Sequence, residues 1–329
     1  MTGMSDLPPL TWGTFFSTWD LPIGWTIVCV AGLAAYLLAW RRAGDATTVR
    51  PWRVASFVLG VVLTWACMAS AVGVYSMALF WMHMVLHLTL ITVAPAFLVV
   101  GHPITVLVEA LEPPRRERVL AALRSRPAGV LTHPLTGLTV YAATIVGTHL
   151  TGFMDAMAQH SSLMVGEQVL YLAAGYLFLL PLVGEEPIRT DLSYGARMIL
   201  LVAGMIPDTI VGIVLLQTET NPFRTFASMR PAWAPNGLDD LQTAGGLMWA
   251  EGDGLMMALA VAVMVAAITT EKRRERIVGP WLQGVRRSTL AGPAQERVDG
   301  EAAPDLDPDS DEALEAYNRM LAGLHRRQR

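Results

Sequence analysis

Two histidines four residues apart lie inside a strongly apolar run, WMHMVLHLTLITVAPAFLVVGHP, at residues 81–103. An α-helix has 3.6 residues per turn, so His83 and His87 share one face, one turn apart, with Met84 beside them. Imidazole is costly to place in hydrocarbon and is the commonest side-chain ligand of transition metals. The spacing therefore predicts a functional site on this helix.

Further polar side chains follow in two later apolar runs. His149 lies in IVGTHLTGF, and His160 opens the run that contains QHSSLMVGEQ. In a helix, Met164 and Glu167 follow His160 at i+4 and i+7, so the three residues form one stripe. We expect His149, His160, Met164 and Glu167 to converge with the first two histidines at one side of a membrane.

The mixture of imidazole, thioether and few carboxylates suits copper better than zinc or magnesium. Two alternatives remain open from the residues alone. A haem between His83 and His149 uses the same imidazoles, and simple packing with hydrogen bonds needs no ligand. Asp208 follows Pro207 near the middle of another apolar run, where a carboxylate is expected to face the interior of a helix bundle.

The composition is that of a protein that crosses a membrane several times. Of 329 residues, 53% are hydrophobic and only 16% are charged. Apolar runs near the roughly 20 residues that a spanning helix needs occur seven times. They cover residues 22–40, 53–74, 78–100, 135–153, 163–183, 197–217 and 245–269. The sequence predicts an all-α, seven-transmembrane-helix bundle.

Loop charges predict the orientation, because short cytoplasmic loops are rich in Lys and Arg. Basic residues concentrate after the first, third, fifth and seventh runs. They are Arg41, Arg42, Arg50, Arg53, Arg115, Arg116, Arg118, Arg124, Arg126, Arg189, Arg197, Lys272, Arg273, Arg274 and Arg276. The pattern predicts an N-terminus outside and a cytoplasmic C-terminus.

The same pattern predicts the organisation of the chain. Residues 1–21 form an outer N-terminal segment, 22–270 the membrane domain, and 271–329 a cytoplasmic tail with a short amphipathic helix. The loop 101–134 is expected to contain one interfacial helix with a basic face.

Four separated pieces of the chain resemble one known family. They are WMHMVLHLTLITVAPAFLVVGHPITVLVEAL, LRSRPAGVLTHPLTGL, THLTGF with AQHSSLMVGEQVLYLAAGYLFLLPLVGEEPI, and DDLQTAGGLMWAEGD. In this order they are similar to the CtaG family of cytochrome c oxidase assembly factors, over roughly residues 50–270. The resemblance implies a seven-helix bacterial membrane protein linked to copper delivery or oxidase maturation.

The resemblance marks His83, His87 and His149 as metal-site residues, with His160 and Glu167 supporting them. One position departs from the pattern. Many members carry a Glu-His pair where this chain has Glu167 and Gln168, and glutamine is a poor copper ligand. This departure predicts a metal site that is rearranged, incomplete or assisted by Met164.

The sequence therefore predicts a non-enzymatic assembly factor that binds copper, as Cu(I), and assists its insertion into a haem-copper oxidase. Its expected partners are oxidase subunits, a copper donor on the outer face and the lipid bilayer, and no nucleic acid. The alternatives are a copper transporter, a metal-free scaffold and a haem-binding membrane protein. Catalysis is not indicated, since the chain shows no nucleophile-base arrangement, phosphate loop or dinucleotide fingerprint.

Overall fold

A computed structural model describes residues 7–190 and 192–295, and side chains as far as residue 269. These residues form helices and connecting segments. The α-helices are α1 Trp12–Ser17, α2 Ile23–Ala43, α3 Pro51–Ala69, α4 Ala71–Tyr75, α5 Phe80–Leu88, α6 Ala94–Val100, α7 Pro103–Glu109, α8 Pro113–Leu123, α9 Arg126–Leu131, α10 Pro134–His149, α11 Phe153–Gln159, α12 Ser161–Val183, α13 Tyr194–Gln217, α14 Arg224–Ser228 and α15 Gly237–Gln295. The all-α prediction is confirmed.

Six helical stretches in the described part of the chain are long and apolar enough to cross a membrane. They are Ile23–Ala46, Pro51–Ala69, Phe80–Glu109, Ser161–Val183, Tyr194–Gln217 and Gly237–Thr269. The remaining predicted span, at 135–153, corresponds to α10. That helix has 16 residues, fewer than the roughly 17 to 25 typical of a spanning helix.

The chain divides into two compact units, Met1–Val263 and Met264–Arg329. The first unit contains the apolar core, in which α12 packs against α6, α10 and α13. Its largest fully buried side chains include Tyr141, Tyr171 and Phe178. In the second unit the structure describes residues 264–295, all within α15. The predicted amphipathic helix of the tail lies outside the described residues.

The helix that carries the paired histidines is interrupted after His87. Residues Thr89–Val93 form a π-helical turn, which separates α5 from α6. Pro95 has no N–H, so it cannot bond the Ile91 carbonyl four residues earlier as an α-helix would require. At this turn α12 comes very close, since a Cβ on Gly175 would lie 1.9 Å from the Ile91 carbonyl oxygen. Only a glycine allows this approach.

The loop 101–134 differs from its prediction. Instead of one interfacial helix it forms α7, α8 and α9, because a proline lies at the first or second position of each. Glu186 holds the first of these by accepting hydrogen bonds from the N–H groups of Ile104 and Thr105 and from the Thr105 hydroxyl, at 3.0, 2.8 and 2.6 Å. Burial raises the pKa of the Glu186 carboxyl, while these donors act in the opposite direction. Helix α8 has no buried residue.

Candidate metal centre

Helix α5 places His83 and His87 as their spacing predicts. Both side chains face the interior, with 1% and 3% exposure, and their ring centroids lie 4.1 Å apart. Glu167 of α12 meets them there. Its two carboxylate oxygens lie 3.7 Å from His83 Nε2 and 3.5 Å from His87 Nε2. Two neighbouring imidazoles and one carboxylate, all buried, thus form a three-residue cluster.

The ligand atoms of this cluster are spaced for one metal ion. One donor atom from each of His83, His87 and Glu167 lies within 4.8 Å of the other two. Two atoms each about 2.1 Å from an ion, at angles of about 110 to 120°, are about 3.4 to 3.6 Å apart. The observed N···O distances of 3.5 and 3.7 Å are close to this separation. These two separations fit a single ion, and the third separation in the cluster is at most 4.8 Å.

Hydrogen bonding supports the same interpretation. Both ring nitrogens of His83, both of His87 and Oε1 of Glu167 are buried and have no hydrogen-bond partner among the described residues. Buried polar atoms are nearly always hydrogen-bonded in native proteins, because an unpaired one costs about 1 to 3 kcal/mol. A bound cation would satisfy the lone pairs and offset the buried carboxylate charge.

His149 of α10 lies beside the cluster. Its ring centroid is 5.3 Å from that of His87. Its Nδ1 donates to the carbonyl oxygen of Ile145 at 3.0 Å, so Nε2 carries the lone pair. This Nε2 is buried and has no hydrogen-bond partner in the described part of the chain. Metal-bound histidines are commonly held in this way by a backbone carbonyl.

Tyr171 is a site residue that the sequence analysis missed. Its ring stacks on His87, with centroids 3.8 Å apart and planes inclined by 22°. Its hydroxyl lies 2.6 Å from the Thr148 hydroxyl, next to His149. Tyr171 follows Glu167 by four residues on α12, and this i+4 spacing is the signal from which the sequence could have identified it.

The structure does not bring His160 and Met164 into the cluster. His160 is the exposed N-cap residue of α12, and its Nδ1 bonds to the carbonyl oxygen of Ala156 at 3.0 Å. Met164 is half-buried and packs against the apolar core. The stripe of three residues therefore contributes Glu167 alone to the three-residue cluster.

Gln168 faces away from the histidines. Its Oε1 accepts a hydrogen bond from Trp25 Nε1 of α2 at 2.8 Å. Successive residues on a helix differ in direction by about 100°, so Glu167 and Gln168 serve different neighbours. The glutamine joins α12 to α2, and Glu167 remains directed at the cluster.

An aromatic cover encloses His83. Phe80 stacks on Phe223 with centroids 5.2 Å apart, and Phe226 packs edge-on against Phe80 at 5.1 Å. Phe226 also lies 6.0 Å from the His83 ring. Asp155 fixes this segment by accepting from the N–H groups of Thr225 and Phe226 at 2.9 and 3.3 Å. Phe223 and Phe226 come from the connection between α13 and α15, which carries no sequence signal for this role.

Asp240 anchors the start of α5. Its carboxylate oxygens accept hydrogen bonds from the N–H groups of Phe80 and Trp81 at 2.8 and 3.2 Å. Arg230 Nε lies 3.8 Å from the same carboxylate. The first N–H groups of a helix have no partner within the helix, so this buried carboxylate fixes the position from which His83 projects.

Replacing Asp240 with alanine is expected to lower the free energy of unfolding by about 2 to 3 kcal/mol, because two hydrogen bonds to a charged acceptor are lost. Thermal unfolding of the detergent-purified protein measures the effect. Asp239→Ala is the matched control, since Asp239 is exposed. Equal unfolding midpoints for the two variants would contradict the anchoring role.

A small cavity adjoins the cluster and has a volume of about 10 Å³, about the space of one water molecule. Its lining residues come from α5, the π-helical turn, α10, α12, α13 and α15. They are Met84, His87, Leu88, Ile91, Ile145, His149, Tyr171, Asp208 and Met248. Asp208 accepts a hydrogen bond from the Tyr141 hydroxyl at 2.7 Å and is 1% exposed. The carboxylate predicted in mid-membrane is thus buried close to the histidines.

Comparisons with known proteins identify three similar mycobacterial chains. Uncharacterized proteins of Mycobacterium bovis and Mycobacterium tuberculosis are each 29% identical to this chain over 311 residues, which cover 92% of the chain and 43% of the relative. A third, from Mycobacterium leprae, is 27% identical over 326 residues, or 96% of the chain and 46% of the relative. The chain therefore spans less than half the length of these curated relatives. No solved structure matches it significantly.

The sequence model of one family matches residues 34–270, which include the whole candidate metal centre. That family is described as the cytochrome c oxidase caa3 assembly factor, with the short name CtaG. The match confirms the resemblance noted from the four sequence pieces. The chain belongs to the cytochrome c oxidase caa3 assembly factor family.

Proposed function

We propose that this protein binds copper at His83, His87 and Glu167 and assists its insertion into a haem-copper cytochrome c oxidase. The observation that carries the proposal is the buried cluster of ligand atoms without hydrogen-bond partners among the described residues. It lies in a chain whose family assembles an oxidase. Copper is here the cargo, and the protein acts without catalysing a reaction.

The choice of copper rests on the residues around the cluster. Two histidines and a glutamate also suit zinc, so the three ligands alone do not select the metal. His149 adds a third imidazole beside His87. Met84 and Met248 line the adjoining cavity, and thioethers favour Cu(I) over harder ions. A haem is disfavoured, because groups of that size typically occupy pockets of several hundred Å³. The cavity beside the cluster has a volume of about 10 Å³.

The proposed topology places this site in the outer leaflet of a bacterial plasma membrane. Six spans would leave both ends of the chain on one side, whereas the loop charges favour an N-terminus outside and a C-terminus inside. Helix α10 therefore crosses as the seventh span. In this topology exposed His160 receives copper from a donor on the outer face, and Met164 follows it along α12. Oxidase subunits in the same bilayer accept the ion.

Glu167→Gln tests the function in cells. Glutamine keeps the size of the side chain and removes the carboxylate charge, so copper binding is expected to weaken at least about tenfold. In a strain without the native protein, the variant should fail to restore oxidase activity and the copper content of the purified oxidase. The parent chain should restore both.

Glu251→Gln is the matched control, because Glu251 is an exposed acidic residue on α15. It should restore the oxidase as the parent does. Full restoration by Glu167→Gln would contradict the proposal.

A copper transporter is the second candidate function. The observation that favours it is the buried pair of Tyr141 and Asp208, which continues the polar groups beyond His87. Net copper flux into proteoliposomes distinguishes the two functions, since the assembly factor binds copper without moving it across the bilayer.

A further inference from the structure

The connection between α7 and α10 carries a concentrated positive charge. Its residues 113–131, which form α8 and α9 and are here called the arginine arm, contain five arginines and one glutamate. All five arginine side chains are exposed, and none of their guanidinium groups has a hydrogen-bond or ion-pair partner among the described residues. They are Arg115, Arg116, Arg118, Arg124 and Arg126. The described part of the protein thus supplies no counter-charge to the arm.

The arginine arm is helical although it buries nothing in the core. Helices α8 and α9 have 11 and 6 residues, and neither contains a buried residue. Isolated helices shorter than roughly 12 to 15 residues are marginal in water, so a further surface is needed to stabilise the arm. Aliphatic side chains are available for contact with such a surface, because Val119, Val130 and Leu131 are 37%, 66% and 58% exposed.

The order of residues in α8 suits the boundary between lipid headgroups and acyl chains. Arg115, Val119 and Leu123 follow one another at i, i+4 and i+8, so they lie along one side of the helix. On such a side the aliphatic groups contact the acyl boundary while arginine extends its charged end to the headgroups. The arm is also held at this depth, since it lies between α10 and the long apolar stretch Phe80–Glu109.

We propose that the arginine arm binds the headgroups of anionic phospholipids at the membrane surface. Guanidinium groups pair with phosphate oxygens through two parallel hydrogen bonds. The arginines are spread from α8 into α9, which matches a surface of many negative groups rather than one bound ligand. Each arginine close to an anionic bilayer strengthens association roughly fivefold. The proposal does not depend on copper, so it holds or fails independently of the proposed function.

Hydrogen exchange of the full-length protein in lipid vesicles tests this interaction. One set of vesicles contains phosphatidylcholine alone, and the other contains about one third phosphatidylglycerol, which is anionic. The backbone amides of residues 113–131 should exchange at least about fivefold more slowly in the anionic vesicles, because lipid contact stabilises α8 and α9. The difference should disappear at about 1 M salt, where the Debye length is only about 3 Å. Equal exchange in the two sets of vesicles would overturn the proposal.

Substitutions in the arm separate charge from structure. Replacing all five arginines with glutamine should abolish the difference between the vesicles, whereas replacing all five with lysine should keep most of it. Glu112→Gln/Glu117→Gln is the matched control on the same exposed helix, and it should keep or enlarge the difference. A difference that persists in the glutamine variant would contradict the proposal. Slower exchange that appears only after oxidase subunits are added would also overturn it and would assign the arm to an acidic protein surface.

Discussion

Copper is expected to be lost from the purified protein when His83 and His87 are both replaced by alanine. The parent, isolated in detergent after growth in copper, should contain about one copper ion per chain or more. The double variant retains Glu167 but loses both imidazoles that face it, and binding should weaken at least about a hundredfold. Elemental analysis of the two proteins gives the result directly.

His133→Ala is the control for this experiment, because His133 is an exposed histidine at the start of α10. Its copper content should equal that of the parent. Copper retained by the double variant would place the ligands elsewhere. No copper in the parent would favour the metal-free scaffold, in which the buried histidines serve packing or partner contacts.

Gly175→Ala is expected to be the most destabilising single methyl addition in the membrane domain. The new Cβ would lie 1.9 Å from the Ile91 carbonyl oxygen and 2.6 Å from its carbon. Backbone atoms cannot rotate aside as a flexible side chain can, so α12 must move away from the π-helical turn. Overpacking of this kind costs about 1 to 3 kcal/mol or more. Thermal unfolding in detergent should show the loss as a lower midpoint.

Gly166→Ala is the matched control on the same helix. A Cβ there meets no atom within 4 Å, and alanine favours a helix over glycine by roughly 0.5 to 1 kcal/mol. Its unfolding midpoint should therefore equal or exceed that of the parent. Equal midpoints for Gly175→Ala and the parent would show that the close crossing of α12 and Ile91 is not needed. Because α12 also carries Glu167, the Gly175 variant should bind copper more weakly.

The sequence was sufficient to predict those parts of the site that depend on spacing along one helix. The four-residue separation of His83 and His87 places both rings on the buried face of α5. Six of the seven apolar runs likewise correspond to the long helical stretches, because the length and hydropathy of a run favour a membrane-spanning helix. Glu167 was predicted as a supporting residue from the family resemblance and lies in the cluster.

Contacts between distant parts of the chain could not be predicted in the same way. Asp240 bonds to Phe80 and Trp81, about 160 residues earlier, and nothing in the local sequence names that partner. The prediction that His160, Met164 and Glu167 form one stripe assumed that the helix continues through His160. His160 instead has extended dihedral angles, φ −131° and ψ 106°, so its ring leaves the face that carries Glu167.

The departure at Gln168 illustrates the same limit. Its adjacency to Glu167 predicted a metal site that is rearranged, incomplete or assisted by Met164, because a ligand pair was expected at these two positions. The direction in which each side chain points determines its partner, and that direction is visible only in the packed helices. Gln168 accepts a hydrogen bond from Trp25 of α2 and not from a residue of the cluster.

The enclosure of the cluster has a consequence for the rate at which metal exchanges. His83, His87 and Glu167 are each at most 3% exposed, and phenylalanines cover the first of them. A chelator in solution cannot attack an ion held there until the aromatic cover or a neighbouring helix moves. The residence time of the ion is then set by the opening of the protein. Under the proposed function, a recipient that promotes this opening would obtain copper faster than a diffusing competitor, so delivery would be selective through kinetics rather than affinity.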